Sequence, residues 1–303
     1  MKNRLTQFEF LEDSPNEIEE RSANTRGAVS TGLSPRETTR VLSINGSPSD
    51  HENSVRGATS WKDYKVDARV KLDVWVLKAV CQDATDRVVA IRTFPKEGSD
   101  RIFQRYKQIE HQHLVSASAI FFTDDPQEYM CVVSEYLPFC LDHIAACSTR
   151  PSDKQLASMM GQILAALDHL HALGLVHGSL KCSSALVTWD GVIKIADFRD
   201  AQISHAKVNE AIDIKAAGHV MMEMMHGKPA PDDTIGVRDS HRGVDVMEFL
   251  AGIDLGLPAS KLLMYPFLAY PDGTAKWTFV QLQNFLINTS YWSQVNYIRI
   301  QSD

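Results

Sequence analysis

The hydrophobic pattern of this chain changes its period once, and that change limits the folds that the chain can adopt. Before residue 138, short runs rich in Val and Ile stand between polar connections: VKLDVWVLKAV (70–80), RVVAIRTF (87–94) and YMCVVSEYL (129–137). Beyond residue 150, apolar residues recur with the spacing of a helix. Strands followed by helices predict an α+β fold with two lobes.

The clearest helix prediction covers residues 152–174. Ser152 is a favourable residue for capping its start, and Gly174 suits its end. One face carries apolar residues three and four positions apart, namely Leu156, Met159, Met160, Ile163, Leu164, Leu167 and Leu170. That spacing predicts a helix whose apolar face is buried.

Three further helices and one hairpin follow. The helices are predicted at 211–227, 244–252 and 278–287. Between the first and second helical regions, ALVTWDGVIKIADF (185–198) has the pattern of a β-hairpin. Its central Asp190-Gly191 pair suits a two-residue turn.

The first 60 residues differ in composition from the rest. They contain only two aromatic residues, Phe8 and Phe10, and many Ser, Thr, Asn, Glu and Arg residues. Such a segment buries too little apolar surface to offset the entropy lost on ordering, so it is predicted to be mostly disordered. Ser34-Pro35 and Ser47-Pro48 are either turn-forming dipeptides or sites of proline-directed phosphorylation.

The overall composition is that of a soluble globular protein. The 303 residues are 44% hydrophobic and 23% charged, with a net charge of −7. That charge argues against a nucleic-acid or membrane surface as the main partner. The five cysteines form no C-x-x-C pair, and the sequence has neither a secretion signal nor an apolar run of about 18 residues. These features predict a soluble intracellular protein, either cytoplasmic or nuclear.

Six segments resemble the motifs of a eukaryotic protein kinase and occur in the same order as in that family. They are VVAIR (88–92), VVSEYL (132–137), LDHLHALGLVHGSLK (167–181), KIADFRDAQI (194–203), VNEAIDIKAAGHVMMEMMHGKPAP (208–231) and ASKLLMYPFL (259–268). Within the family, three parts are most similar to the PAK group of Ser/Thr kinases: the hinge VVSEYL, the AQI (201–203) after the Asp197 turn and the segment EMMHGKP (223–229). The resemblance implies a small antiparallel β N-lobe and a mostly helical C-lobe.

The resemblance also divides the chain into regions. A polar tail (1–60) precedes the kinase-like domain (61–287), and a C-terminal tail (288–303) follows it. Within the domain, residues 61–137 form the predicted N-lobe and residues 138–287 the predicted C-lobe.

The catalytic loop departs from the family pattern. Where the family has H-R-D-L-K-x-x-N, this chain reads HGSLKCSS. Lys181 is retained, but Ser179 stands at the position of the catalytic Asp and Ser184 at that of the metal-binding Asn. Because serine cannot act as a carboxylate base, no catalytic residue is expected to be intact apart from the lysine.

The predicted nucleotide site is also degenerate. No glycine occurs between Gly57 and Gly98, so the glycine-rich phosphate loop is absent. The resemblance places Arg92 at the phosphate-binding lysine and puts adenine beside Glu135 and Leu137. Asp197 is the one remaining metal ligand, with Arg199 in place of the glycine two positions later. One carboxylate is a poor Mg²⁺ site.

Two segments that control kinase activity are shorter than in the family. No glutamate lies near Ile102, where the partner of the strand lysine is expected, and Glu110 lies at the wrong end of that helix. Asp213, at the head of the large C-lobe helix, follows Asp197 by only sixteen positions. That interval has no room for an activation segment.

Three functional hypotheses follow. The first is a pseudokinase, a binding or scaffold module for another protein, with an active kinase as one candidate partner and no cofactor. The second is a weak or atypical ATP-dependent Ser/Thr kinase that uses Asp197, Lys181 and Arg92 with Mg²⁺. The third is a relic of a PAK-like kinase with no selected function.

Other residues have simpler interpretations. The histidines at 111, 113, 169, 171 and 177 lack the spacing of a zinc site, so structural roles are predicted for them. The methionines at 221, 222, 224 and 225 are predicted to pack in the core. A nucleophile–base pair of Ser179 and His177 lacks an acidic partner in the sequence.

Overall fold

The computed structural model describes residues 60–269, except for gaps at 73, 84–85, 124–127, 205–206, 230–234 and 237–241, together with the backbone of 297–299. The predicted helix at 278–287, the polar tail before residue 60 and the boundary at 287 lie outside the described residues. Within them, a β-rich lobe precedes a mostly helical lobe. The two-lobed α+β prediction is confirmed.

The N-lobe is an antiparallel sheet with one helix. Its strands are β1 (Tyr64–Lys71), β2 (Trp75–Cys81), β3 (Val88–Pro95), β4 (Ala117–Phe122) and β5 (Tyr129–Glu135). Helix α1 (Ser99–Gln108) connects β3 to β4. A three-residue strand near the C-terminus, β11 (Tyr297–Arg299), pairs with β1, so the order is β11-β1-β2-β3-β5-β4.

The predicted strand pair at 70–80 divides at a tight turn. Strand β1 ends at Lys71 and β2 begins at Trp75, with the Leu72 amide donating to the Val74 carbonyl at 3.0 Å. The prediction missed the first six residues of β1, YKVDAR, because it relied on runs rich in Val and Ile, although this segment alternates between apolar and polar side chains as a strand does. Its pattern and its antiparallel pairing with β2 therefore agree.

The C-lobe is built around α3 (Asp153–Ala172), which confirms the helix predicted at 152–174. The Ser152 hydroxyl accepts a hydrogen bond from the Gln155 amide, and the Gln155 side chain accepts one from the Ser152 amide. Such a reciprocal cap satisfies two amides that lack helical partners. Gly174 has a φ of 69°, a left-handed conformation that glycine adopts without strain. All seven residues of the predicted apolar face are buried.

Shorter elements complete the C-lobe before its second long helix. They are β6 (Phe139–Cys140), α2 (Leu141–Ala145), β7 (Leu175–Val176), β8 (Ala185–Val187), β9 (Ile193–Ile195) and β10 (Gln202–Ile203). Strands β8 and β9 form the predicted hairpin, and β6 pairs with β8.

The hairpin turn differs from the prediction. The Gly191 amide donates to the Thr188 carbonyl, and Thr188 pairs with Val192, which leaves three residues in the loop. Gly191 has a φ of 83°. The two-residue turn is therefore wrong, because Asp-Gly also suits a turn followed by a left-handed glycine.

Three helices follow, α4 (Lys207–His226), α5 (Val244–Asp254) and α6 (Ala259–Leu262). The four methionines of α4 are buried, as predicted. A Cβ on Gly218 would lie 2.7 Å from the side chains of Ile235 and Ile253, so the absence of a side chain lets α4 and α5 pack closely. None of the helices in the described ranges has both the length and the apolar character needed to cross a bilayer.

Candidate functional site

One buried carboxylate binds the start of the catalytic-loop segment (177–184). Asp213 of α4 accepts hydrogen bonds from the backbone amides of His177 and Gly178, each at 2.8 Å. Its Oδ2 atom also lies 3.0 Å from Nε2 of His171 on α3. Because Asp213 is fully buried, these contacts fix the start of the loop against both long helices.

Ser179, at the position of the catalytic Asp, makes no catalytic contact among the described residues. Its Oγ atom is buried and has no hydrogen-bond partner there. The His177 ring approaches the Ala196 carbonyl through Nε2 at 2.9 Å and the Ser179 amide through Nδ1 at 3.4 Å. Since the imidazole contacts the amide of Ser179 and not its hydroxyl, the nucleophile–base pair is not formed.

Ser184, at the position of the metal-binding Asn, contacts its own loop. Its hydroxyl accepts from the Lys181 amide and donates to the Lys181 carbonyl, both at 3.0 Å. These bonds close the single turn Cys182–Ser184. The hydroxyl is fully buried, and the Lys181 residue is exposed to solvent.

The Asp197 carboxylate is paired with the Arg199 guanidinium from the same turn. Arg199 Nε donates to Asp197 Oδ1 at 2.7 Å, and Arg199 Nη2 donates to Oδ2 at 2.8 Å. A fork of this kind engages both carboxylate oxygens with charge-assisted hydrogen bonds. Asp197 has a φ of 66°, a left-handed conformation that is uncommon outside glycine.

The charges around Asp197 keep it ionised. Burial by itself raises the pKa of the Asp197 carboxyl, but the hydrogen bonds and charge of Arg199 lower it, followed by His177 and Arg92. The net pKa lies below the ordinary value for aspartate. The carboxylate is therefore ionised at neutral pH and already balanced by a fixed positive charge.

Phe198 connects the loop, the Asp197 turn and the N-lobe helix. Its ring packs edge-on against Tyr106 of α1 at 5.4 Å and against His177 at 5.6 Å. Arg105, also on α1, donates from Nε to the carbonyl of Ala201 just beyond the turn. These contacts hold α1 against the C-lobe.

Arg92, at the position of the phosphate-binding lysine, is buried in the N-lobe sheet. Its Nη1 donates to the hydroxyl of Ser134 on the neighbouring strand β5 at 3.2 Å. Helix α1 contains no glutamate, and Glu110 lies exposed beyond its C-terminal end. The ion pair between strand and helix that the family uses is therefore not formed by α1.

The place where adenine was predicted to enter is filled by apolar side chains from both lobes. Leu137 belongs to a packed cluster that also contains Ala68, Val70, Leu72, Val76, Ala90, Val115, Cys140, Leu186 and Ala196. No member is more than 7% exposed. Residues lining an open cleft would be reached by water, so the lobes meet here as a continuous core.

Glu135 also connects the lobes, at the edge of that cluster. Its carboxylate forms an ion pair with Lys194 on β9 of the C-lobe. The Glu135 side chain is 42% exposed, so the pair stabilises the closed arrangement only weakly.

One polar cluster was not anticipated from the sequence. Asp142 on α2, Cys182 and Glu223 on α4 bring their donor atoms within 4.8 Å of one another. Burial raises the pKa of all three groups; Lys181 opposes this at Asp142, and the neighbouring acids add to it at Cys182. The first and last of these residues, Asp142 and Glu223, are 81 positions apart in sequence. Only the packing of three separate segments brings the three side chains together.

The histidines have the structural roles that were predicted. His113 Nδ1 lies 2.9 Å from the carbonyl of Ile193, and the ring of His111 stacks on His169 at 4.8 Å. Among the described residues, the one group of three metal-ligating atoms that lie this close together is the Asp142 cluster, which contains no histidine.

The family model for the protein kinase domain matches residues 76–209, which include β2 to β5, the catalytic-loop segment and the Asp197 turn. A probable cell division protein kinase of Encephalitozoon cuniculi is 26% identical over 178 residues, covering 51% of this chain and 53% of the relative.

Two fungal relatives show a similar extent of match. The mitogen-activated protein kinase HOG1B of Wallemia ichthyophaga is 29% identical over 175 residues, covering 50% of this chain and 45% of the relative. The mitogen-activated protein kinase HOG1 of Exserohilum turcicum is 29% identical over 175 residues, covering 48% and 52%. The chain thus spans about half the length of the curated relatives it matches.

These relatives are named as cell division and mitogen-activated protein kinases and not as PAK kinases, so the similarity to the PAK group remains a prediction. The broader assignment rests on independent observations that agree: the order of motifs, the two-lobed fold, the loop held by Asp213 and the family match. Over residues 76–209, the chain is similar to the protein kinase domain of the eukaryotic protein kinase superfamily.

Proposed function

We propose that this protein is a pseudokinase, which keeps the kinase fold as a binding or scaffold module for another signalling protein. The observation that carries the proposal is the fork between Arg199 and Asp197. Magnesium in kinase sites is bound through carboxylates and phosphate oxygens. To reach Asp197, the ion would have to displace two charge-assisted hydrogen bonds and approach a fixed positive charge.

The closed contact between the lobes supports the same proposal. The side chains around Leu137 pack against one another where adenine would lie. Nucleotide entry would require these apolar residues to separate, which would expose their surface to water at a cost of about 25 cal/mol per Å². The residues present therefore do not fit a bound Mg-ATP.

The catalytic loop supports it independently. Ser179 offers no carboxylate, and loss of a positioned acid–base group typically costs about 10²–10⁴-fold in rate. The hydroxyl of Ser184 is turned into its own loop. A protein with this loop is expected to bind partners through its surface and to transfer no phosphate.

Thermal unfolding of the purified protein with and without Mg-ATP tests the proposal. We expect a cooperative transition whose midpoint is unchanged by millimolar Mg-ATP. A ligand at 100 times its dissociation constant would add about 2.7 kcal/mol, which is an easily measured shift. A magnesium-dependent shift in the wild type would contradict the proposal, and a non-cooperative transition would favour the relic hypothesis.

Arg199→Gly is the matched variant for this measurement, since it removes the cation and leaves Asp197 in place. If the fork is the main obstacle, this variant gains a Mg-ATP shift that the wild type lacks. If the closed apolar cluster is the main obstacle, both proteins remain unresponsive. Either result identifies which feature excludes the nucleotide.

One observation favours a second candidate, the weak or atypical Ser/Thr kinase. Asp200 lies against the catalytic loop: its Cβ is 4.0 Å, and its carbonyl oxygen 3.0 Å, from where a Cβ on Gly178 would lie. Asp200, an exposed residue, thus lies beside Gly178, the residue before Ser179, and is the candidate for the missing base under this hypothesis. Under this hypothesis, phosphotransfer to a generic protein substrate is measurable and is lost in both Asp200→Asn and Asp197→Ala.

A further inference from the structure

Helix α5 is apolar on two opposite faces. One face packs into the C-lobe through Val246, Phe249, Leu250 and Ile253, which are buried. The opposite face carries Val244, Met247, Ala251 and Leu255, spaced by three and four positions and exposed to solvent. A surface helix is normally polar on its outer side, whereas a helix that is apolar all round is normally buried.

The exposures on the outer face are large. Val244 is 68% exposed, Met247 50% and Leu255 78%. Four residues at this spacing form a stripe about 16 Å long, at 1.5 Å of helix rise per residue. Scattered apolar side chains on a surface need no explanation, but a continuous stripe marks an interaction site.

The C-terminal end of the stripe lies beside α4. A Cβ on Gly256, directly after Leu255, would lie 3.6 Å from the Cβ of Ala211. We call the exposed apolar surface formed by Val244, Met247, Ala251 and Leu255 the α5 stripe.

The charged residues of α5 itself have one sign. Asp245, Glu248 and Asp254 are all exposed on α5, and the helix contains no Lys or Arg. The cation that precedes the helix, Arg242, forms an ion pair with Asp153 of α3. The stripe is thus an apolar surface with an acidic rim.

From this geometry, we propose that the α5 stripe is a docking surface for an amphipathic helix of a partner protein that carries Lys or Arg beside an apolar face. A facing helix of about three turns matches the length of the stripe, and its anchors at i, i+3 and i+7 match the spacing. Its basic residues pair with the acidic rim. The inference rests on the proposed scaffold function and names the surface that performs it.

A second copy of this chain does not suit the stripe. In a two-fold dimer, the same patch faces itself, so the acidic rims of the two copies would lie against each other. Like charges at such distances are unfavourable, and nothing on α5 compensates for them. Charge complementarity therefore selects a basic partner helix.

The test uses two synthetic 18-residue helical peptides with a fluorescent label, one of Leu and Lys and one with every Lys replaced by Glu. Binding to the full chain is followed by fluorescence anisotropy at two salt concentrations. We expect the Leu/Lys peptide to bind, with an affinity that falls as salt increases, and the Leu/Glu peptide not to bind.

Variants separate the stripe from general attraction to an acidic protein. Met247→Ser/Leu255→Ser removes the apolar anchors, and we expect at least a tenfold loss of affinity. Asp245→Asn/Glu248→Gln removes part of the rim, and we expect a loss of about fivefold with a weaker salt dependence. The control Trp189→Ser/Ile203→Ser changes exposed apolar residues elsewhere and is expected to have no effect.

Two results would overturn the docking proposal. The first is equal binding of the Leu/Lys peptide to the wild type and to Met247→Ser/Leu255→Ser, or no binding to either. The second is a wild-type dimer in sedimentation that this variant dissociates, which would make a second copy the occupant. All these substitutions leave Asp197 and Arg199 unchanged, so a failure here is independent of the Mg-ATP measurement.

Discussion

Two sets of residues around the catalytic loop differ in what they retain. The first is the buried frame that holds the loop in place, and the second is the set of residues that would handle phosphate and metal. The frame keeps its buried contacts: Asp213 binds the loop from α4, and Phe198 packs between His177 and Tyr106. The residues that would handle phosphate and metal are replaced or engaged internally, as with Ser179 and the Arg199–Asp197 fork. The difference indicates that stability of the fold and chemistry of the cleft depend on separate residues.

Asp213→Ala tests the frame and is expected to have the largest effect. It removes a buried acceptor and leaves the amides of His177 and Gly178 without their partner. Losing one side of such a buried charged network typically costs about 3–5 kcal/mol. Urea denaturation measures the loss, and Asp213→Asn, which keeps one acceptor oxygen, should lose less. Equal stability of Asp213→Ala and wild type would contradict the role given to Asp213.

Arg199→Ala tests the fork and is expected to have an intermediate effect. It leaves the Asp197 carboxylate buried without its two donors, at a cost of about 1–3 kcal/mol at neutral pH. The lowered pKa of Asp197 means that the wild type has this stabilisation above the ordinary aspartate pKa. It is lost as pH falls through the lower pKa of the folded protein.

Urea denaturation at several pH values, from neutral to acidic, checks both parts of this prediction. The difference between wild type and Arg199→Ala should shrink as pH falls. Lys194→Ala, which breaks the exposed pair with Glu135, is the matched control and should change stability by less than about 1 kcal/mol. A difference that is independent of pH would show that Arg199 contributes by packing alone.

Glu223→Gln tests the polar cluster of Asp142, Cys182 and Glu223. Its effect on stability should be smaller than that of Arg199→Ala and should depend on pH. The pKa of Glu223 is raised, first by burial and also by Asp142. The folded wild type therefore keeps a proton that helps stability below the ordinary glutamate pKa, and this contribution is lost as pH rises through the raised pKa. A neutral glutamine has no such loss, so the variant should gain stability relative to wild type as pH rises. Melting temperatures of both proteins across that range measure the trend, and parallel curves would contradict it.

Ser179→Asp tests the residues that would handle phosphate and metal, and we expect this variant to have no kinase activity. It restores a carboxylate at the catalytic position but leaves the Arg199 fork and the apolar cluster around Leu137 unchanged. Phosphotransfer from labelled ATP to a generic substrate should stay at the level of Ser179→Ala. Magnesium-dependent transfer by Ser179→Asp alone would show that the cleft admits nucleotide.

Local patterns were sufficient for the elements whose stability is local. Helix α3 was predicted from its apolar spacing, its Ser152 cap and its terminal Gly174, because each of these acts within a few residues. The β8–β9 hairpin was predicted for the same reason, although its turn has one residue more than expected. The departures at Ser179, Ser184 and Arg199 were also visible, since they are single residues within recognisable motifs.

The sequence by itself therefore determined the similarity to protein kinases, the order of the lobes and the departures from the kinase motifs. Tertiary structure alone decided that Arg199 binds Asp197, that side chains from both lobes fill the place beside Leu137, and that α5 has an apolar outer face. The physical reason is that hydrogen bonds, closure of a cleft and exposure depend on distances between segments far apart in the chain. The spacing of residues along one segment does not contain those distances.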